Sequence, residues 1–389
     1  MAETEFQFLE TGWASVNKQD ETLCGDFFKS FENNGKKVFV LSDGLGSGVK
    51  ANILSTLTTT ILGTMLSRGI PLDECINTVA TTLPICRTRK LAYATFTVLQ
   101  IEHNRAYLVQ YSNPAAILLR QGKNLNYPHN IHFIGEKEIH ESHIPMITGD
   151  ILVLMSDGIT NAGVGKLAAN GWKREDLIAF LERLDLVKMS AAQIAARIVN
   201  CCLTLSEDSL DDDTTVLVIK LRERSVVNML VGPPENKEDD NCVLKLFFAK
   251  EGTRVVCGGS TANAVSKYLQ KPLVAIADSA TRGIPVMSRI DNVDYVTEGV
   301  ITLKKVLELC NTYLEDPLTL LTFYHKKDAA SVLSLLLIET ATDINIYFGM
   351  AANNLHEGTE FDFQTKLSLI KQLEECLQRM NKHVKISFC

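Results

Sequence analysis

The sequence predicts a mixed α/β chain in two parts, and three observations carry that reading. Short apolar runs end in Gly-rich loops and are followed by stretches with apolar residues at helical spacing. Aspartates recur at those strand ends. Near residue 222 the pattern changes to an alternation of strand and helix, which predicts a parallel sheet with covered faces.

The elements follow in order. Val38-Phe39-Val40-Leu41 reads as a strand that stops at Ser42-Asp43-Gly44. Ile53, Leu54, Leu57, Ile61, Leu62, Met65 and Leu66 recur at helical spacing, and Gly69 and Pro71 end that helix. Strands are expected over 91–102 and 105–110, joined by a His103-Asn104 turn, and over 116–120 after Asn113-Pro114. Gly149–Met155 reads as another strand, ending in Ser156-Asp157-Gly158. Helices are expected over 173–184 and 190–205, and a strand over 215–221 follows three aspartates.

Composition excludes several classes. The 389 residues are 46% hydrophobic and 22% charged, as in ordinary soluble proteins. The net charge of -7 leaves no basic footprint for nucleic acid. No apolar run approaches the roughly 18 residues of a spanning helix. MAETEFQFLE lacks a basic-then-apolar export segment, so a cytoplasmic protein without a membrane partner is expected. The ten Cys include no C-x-x-C pair, which argues against structural zinc and for reduced thiols acting as small hydrophobes.

The aspartates carry the chemistry. Asp43 and Asp157 each stand in Ser-Asp-Gly after an apolar run, Asp212 and Asp213 precede a strand, and Asp26 lies in Gly25-Asp26-Phe27-Phe28. One such Asp-Gly is usually only a turn. A convergent set is different: like charges raise one another's pKa, and hard divalent cations relieve the repulsion. The glycine after each Asp is expected to let the backbone approach an ion or phosphate. His129, His132, His140 and His143 read instead as part of a polar loop with short strands, not as a metal site.

The ordered set Gly25-Asp26-Phe27, Ser42-Asp43-Gly44-Leu45-Gly46-Ser47-Gly48, Asn113-Pro114-Ala115, Gly149-Asp150, Ser156-Asp157-Gly158 and Asp212-Asp213-Thr214-Thr215 resembles the PP2C-type metal-dependent serine/threonine phosphatases. The branch it resembles is the bacterial sporulation-protein-E-like one, over residues 5–222. The resemblance implies an αββα sandwich of two antiparallel sheets flanked by helices. It implies two Mn²⁺ or Mg²⁺ ions held by Asp26, Asp43, the Gly44 carbonyl, Asp157 and Asp212, with Asp213 left open as an alternative by the triple Asp. Catalysis would run through these aspartates, by in-line attack of a metal-bridging hydroxide on a phosphoserine or phosphothreonine of a protein. The implied partner is a phosphorylated regulatory protein, such as an anti-sigma-factor antagonist. No His precedes His103 and no Arg precedes Arg68. The early His and Arg of the larger eukaryotic relatives therefore have no counterpart, as in bacterial members, and the general acid is unassigned.

Residues 223–389 form the second expected domain, a smaller α/β unit in a regulatory or ligand-sensing role. Its strands at 226–231 and 253–257 run into Gly232-Pro233-Pro234 and Gly258-Gly259-Ser260-Thr261. If they are parallel neighbours, both loops share the carboxyl edge where open α/β sheets bind ligands. Gly258, Gly259, Ser260 and Thr261 are then a candidate anion site, with Ser260 or Thr261 capping the helix; a plain turn plus N-cap is the alternative. Thr297 and Glu298 are expected to face the same crevice. Cys257 beside it is expected to be inert, with redox sensing as the alternative. A homodimer is compatible with the chain. The competing reading of the whole is a catalytically silent phosphoprotein-binding module whose second domain senses a phosphorylated small molecule.

Overall fold

The run Val38-Phe39-Val40-Leu41 is buried on both faces, and that fact organises the first half of the molecule. Successive strand residues point to opposite sides. Val38 and Val40 pack toward helices with Leu54, Leu62 and Leu66, while Phe39 and Leu41 pack with Leu152, Leu154, Leu217 and Ile219 of a second sheet. A strand covered on both faces reads as a continuous apolar run even in an antiparallel sheet.

The computed structural model describes residues 7–82, 94–135, 137–234, 240–351 and 363–389. Two compact units divide the chain, one ending at Glu223 and the other beginning at Arg224. The first contains β1 (Gln7–Val16), β2 (Asp26–Asn33), β3 (Lys36–Gly44), α1 (Gly48–Ser67), α2 (Leu72–Thr82), β4 (Ala94–Glu102), β5 (Arg105–Tyr111), β6 (Ile117–Arg120) and β7 (Lys123–Asn124). It continues with β8 (Asn130–Ile134), β9 (Lys137–Pro145), β10 (Ile151–Met155), α3 (Asp157–Asn161), α4 (Arg174–Leu181), α5 (Ala191–Leu205) and β11 (Thr214–Glu223).

Two sheets result, ordered β1-β11-β10-β6-β7 and β2-β3-β4-β5-β9-β8. Every pairing in them is antiparallel. The residues between the sheets form one core, and α1 and α2 cover the outer face of the second sheet. On the outer face of the first sheet, α5 lies so close to β1 that a Cβ on Gly12 would fall 2.1 Å from the Ala192 amide nitrogen. Ser190 starts α5 with a capping box to Gln193, which satisfies two backbone groups at the helix entry. This is the αββα arrangement expected from the resemblance.

The second unit contains β12 (Val226–Val231), α6 (Asp240–Ala249), β13 (Thr253–Cys257), α7 (Gly259–Leu269), β14 (Val274–Ala275), β15 (Ser288–Ile290) and β16 (Val293–Thr297). It ends with α8 (Val300–Glu315), α9 (Ala329–Leu335), β17 (Asp343–Phe348), α10 (Phe363–Arg379) and β18 (His383–Phe388). Its sheet is ordered β14-β15-β16-β13-β12-β17-β18. The five strands β16, β13, β12, β17 and β18 are parallel, and β14 and β15 extend them antiparallel.

Several expectations change. The strand through Val38 does not stop before Ser42-Asp43-Gly44 but carries all three residues in its ladder. Ser156-Asp157-Gly158 is not a loop: Ser156 is the N-cap and Asp157 the first residue of α3. The helix at 53–66 begins earlier, at Gly48, and Ile53 and Leu57 are exposed at 52% and 42% rather than buried. The four-His segment forms the β8–β9 hairpin. The expected strand residues 91–93 lie outside the described residues. Among the described residues, no helix is long and apolar enough to cross a membrane.

Candidate functional site

Four strand ends deliver the aspartates. β2 opens at Asp26 and β3 closes at Asp43-Gly44, and antiparallel pairing sets Asp26 directly opposite Asp43. β10 and β11 are neighbours, so Asp157 after one and Asp212-Asp213 before the other meet at a shared end. Ser156 locks that end: its amide donates to the Thr215 carbonyl at 3.0 Å, and its Oγ accepts from the Thr215 amide at 3.0 Å.

The glycines beside these aspartates serve packing. A Cβ on Gly44 would lie 2.0 Å from the Ala51 carbonyl oxygen, and one on Gly158 would lie 2.2 Å from the Asp213 carbonyl oxygen. Neither glycine has a positive φ. In this fold they let α1 and the β11 entry approach the strand ends.

Electrostatics follow from this crowding. Burial, and next the Asp43 carboxylate, pushes Asp26 well above the usual carboxylate range. Burial, then Asp157, Asp212 and Asp213, raises Asp43 to about 7. Asp212 is raised by burial and by Asp157, while the Lys18 ammonium pulls it back. Both Asp26 oxygens and Asp157 Oδ1 are buried without a well-directed hydrogen-bond partner; the Ser156 and Thr215 hydroxyls are near enough to ease the Asp26 charge but are engaged with other groups.

Asp213 behaves differently from Asp212. Its Oδ1 accepts from the Lys18 amide at 3.0 Å, and its Oδ2 lies 2.7 Å from where a Gly25 Cβ would stand. Asp213 is thus a tether for the N-terminal loop, whereas Asp212 is the member of the pair whose charge meets Asp157. Asp150 is also structural: fully buried, it takes two hydrogen bonds from the Arg120 guanidinium, at 2.9 and 2.7 Å.

Buried oxygens without partners and mutually raised carboxyls are what an all-oxygen cation site presents. The fit is by convergence in pairs. Asp26 faces Asp43, Asp43 and Asp157 lie within hydrogen-bonding reach, and Asp157 meets Asp212. Among the described residues, no three His, Cys, Asp or Glu groups stand around one point as a closed ligand shell.

Two residues escaped the sequence reading. Glu21 accepts from the Ser47 hydroxyl at 2.7 Å and sits against Gly48, pinning the Gly-rich loop after Asp43. Lys18 brings a cation to Asp212. Both lie between β1 and β2 in a stretch without periodicity, so no pattern marked them. The histidines of the 129–143 segment make contacts of their own. His140 pairs with Glu138 at 2.9 Å and its ring stacks on His129, while His143 stacks on Tyr107. His103 lies in the turn just past the far end of β4 from Thr95, the residue that faces Asp43, and the intervening strand separates them by about 25 Å.

Comparison with known proteins comes to the same segment. Residues 33–222 match the family model for Stage II sporulation protein E (SpoIIE). The Stage II sporulation protein E of Priestia megaterium is 26% identical over 232 residues, covering 57% of this chain and 38% of that protein. That of Bacillus subtilis (strain 168) is 26% identical over 223 residues, covering 55% and 26%. The chain thus spans less than two fifths of the length of these curated relatives. A solved structure of the PP2C phosphatase domain of Bacillus subtilis SpoIIE with a fragment of its regulatory domain superposes with a TM-score of 0.47 at 22% identity, covering 57% of this chain and 65% of that one. RsbX in complex with magnesium superposes with a TM-score of 0.40 at 18% identity, covering 55% and 95%.

Proposed function

Proceeding from a SpoIIE-type, PP2C-like phosphatase domain over residues 33–222, we propose that the first unit hydrolyses phosphoserine or phosphothreonine on a protein in a divalent-cation-dependent reaction. The observation that carries the reading is the set of buried, unpartnered oxygens of Asp26 and Asp157 among carboxyls gathered from four strand ends. Asp26, Asp43, the Gly44 carbonyl, Asp157 and Asp212 would hold two Mn²⁺ or Mg²⁺ ions, which when bound supply charge neutralisation and an activated water.

The chain's own residues do the rest. Burial keeps bulk water from the Asp26 carboxylate, which strengthens its electrostatics. The Ser156–Thr215 bonds fix Asp157 and Asp212 relative to each other. Lys18 supplies positive charge beside Asp212 and takes the part of the missing N-terminal Arg in attracting the substrate phosphate. The leaving serine oxygen is protonated from solvent rather than by a His, in keeping with the distant placement of His103. The partner is a phosphorylated regulatory protein, met in the cytoplasm, and the second unit regulates the first.

The test is hydrolysis of a phosphoserine peptide and of an aryl phosphate with Mn²⁺, with and without chelator, for the wild type and Asp43→Ala. Hydrolysis abolished by either change is expected. Turnover that survives either change would exclude the aspartate site, and retention of the phosphopeptide without turnover would favour the silent binding module.

A further inference from the structure

A second site, independent of the phosphatase reading, lies in the second unit at the carboxyl edge of its parallel sheet. Val231, Cys257 and Thr297 end three neighbouring parallel strands in register, so β12, β13 and β16 release their loops on one side. The chain fills β12, β13 and β16 first and then crosses to β17 and β18 on the other flank. Crevices at such reversals are where open α/β sheets take ligands. Here a cavity of about 190 Å³ is walled by the three loops on one side and by α10, which joins β17 to β18, on the other.

Its floor is rich in hydrogen-bond donors. α7 opens at Gly258, whose φ of 117° only glycine adopts readily, and no side chain caps the helix. Neither Ser260 nor Thr261 is the cap, contrary to the sequence expectation. The Gly258 amide donates to Thr297 and the Ala262 amide to Gly258, but the amides of Gly259, Ser260 and Thr261 have no acceptor among the described residues. Free N–H groups and the helix dipole at such an end favour an anion.

A side chain points to the same ligand. Thr261 is 2% exposed, lines the cavity, and its hydroxyl has no partner. A buried hydroxyl left unsatisfied is costly, and a ligand oxygen would satisfy it. The neighbouring helix α8 makes the contrast. Thr302 is likewise buried and unpartnered, but it does not line the cavity, and the Glu298 carboxylate already accepts from the Ile301 amide at 3.1 Å. The α8 end therefore carries its own anion, and the α7 end does not. Among the described residues, Lys366 of α10 is the cation lining the cavity and Glu298 the carboxylate. Leu303, Leu369 and Ile370 supply an apolar wall.

Cys257 and Thr297 do not take part. Cys257 is fully buried, burial pushes its thiol up to about 12, and the Thr297 hydroxyl donates to its sulfur at 3.4 Å. Thr297 thus turns from the crevice that it was expected to face, and the thiol lies buried rather than in the cavity.

We propose that this cavity binds the phosphoryl end of a small phosphate ester. The phosphoryl oxygens accept from the Gly259 and Ser260 amides and the Thr261 hydroxyl, Lys366 balances the charge, and the organic part rests on Leu303, Leu369 and Ile370. The volume is below the roughly 300–1,000 Å³ of pockets that enclose a whole drug-sized ligand, so the rest of the ester extends outside.

The experiment is calorimetric titration of the full chain with inorganic phosphate, ribose 5-phosphate, AMP and adenosine. Chelator is present throughout, so that the aspartates of the first unit recruit no phosphate through a cation. Binding of ribose 5-phosphate or AMP, none of adenosine, and weakening by about tenfold or more in both Thr261→Val and Lys366→Met are expected. Thr261→Val without ligand should melt no lower than wild type, because the hydroxyl it removes is unpartnered. No binding of any phosphate-bearing probe, adenosine binding as tightly as AMP, or affinities unchanged in both variants would overturn the site. Inorganic phosphate binding as tightly as both esters would overturn the ester assignment.

Discussion

The two units place polar groups at strand ends with opposite charge. In the first, antiparallel strands bring carboxylates together, and the backbone around them is closed by glycines packed against carbonyls. In the second, parallel strands feed helices, the first amides of α7 are free among the described residues, and Gly259 meets nothing within 4 Å of where its Cβ would stand. Parallel strands put helix N-termini, with their partial positive charge, on one edge; antiparallel strands have no such bias, and only side chains set the sign. One edge is suited to cations and the other to anions.

The sharpest way to break this comparison is Asp43→Ala. Cation stabilisation of a phosphoryl transition state is worth several kcal/mol, so activity should fall on the order of 10²–10⁴-fold in a steady-state assay. Phosphate-ester binding by the second unit should not change. If one substitution abolished both, the two edges would not be independent.

Glycine substitutions come next. Gly44→Ala forces a Cβ onto the Ala51 carbonyl and should destabilise the fold by about 1–3 kcal/mol in a denaturant titration. Gly259→Ala fills open space at the first turn of α7 and should leave stability unchanged or slightly raised. Equal losses in both would contradict the distinction between a packing glycine and an exposed one.

A third test uses pH. Asp43 is raised from an ordinary 3.8 to about 7, so the metal-free fold favours its protonated form. That contribution is full below the unfolded pKa and is lost as pH rises through about 7. Melting temperature in chelator should therefore fall between pH 4 and pH 7, and Mn²⁺ should restore it most at the upper end. A melting temperature in chelator that rises steadily over this interval would contradict the crowding of these carboxyls.

The smallest effect is expected from Lys18→Met. Losing one cation beside the site should raise KM about tenfold with kcat little altered, seen in initial rates. A fall in kcat at constant KM would move Lys18 from attracting substrate to acting in the transition state.

Much of this was legible because it lies in local patterns. The apolar runs of β3, β10 and β11 and the strand–helix alternation after residue 225 are local signals, and the aspartates sit beside them. What escaped depends on tertiary pairing. β1 alternates, but its buried face carries Glu10 and Gly12, and Glu10 is tolerated there because the Arg222 Nε donates to it at 2.7 Å. The short strands expected around the four His were legible, but their pairing into the β8–β9 hairpin was not; the His are held by Glu138, Glu141 and stacking partners. Ile53 and Leu57 share a helical period with Leu54 and Leu62 but fall on the side of α1 away from the sheet. The Thr261 hydroxyl could not be flagged at all, since its lack of a partner is a property of the packed fold.

The central claim is that the strand-end aspartates hold divalent cations for phosphoester hydrolysis. Titrating Mn²⁺ into the full chain by electron paramagnetic resonance, alongside phosphoserine-peptide turnover in the same samples, tests it most directly. Two bound Mn²⁺ per wild-type chain, turnover that rises with their occupancy, and loss of both in Asp26→Ala and Asp43→Ala are expected. Turnover at full rate in samples that bind no Mn²⁺, or two ions retained in both variants, would contradict it.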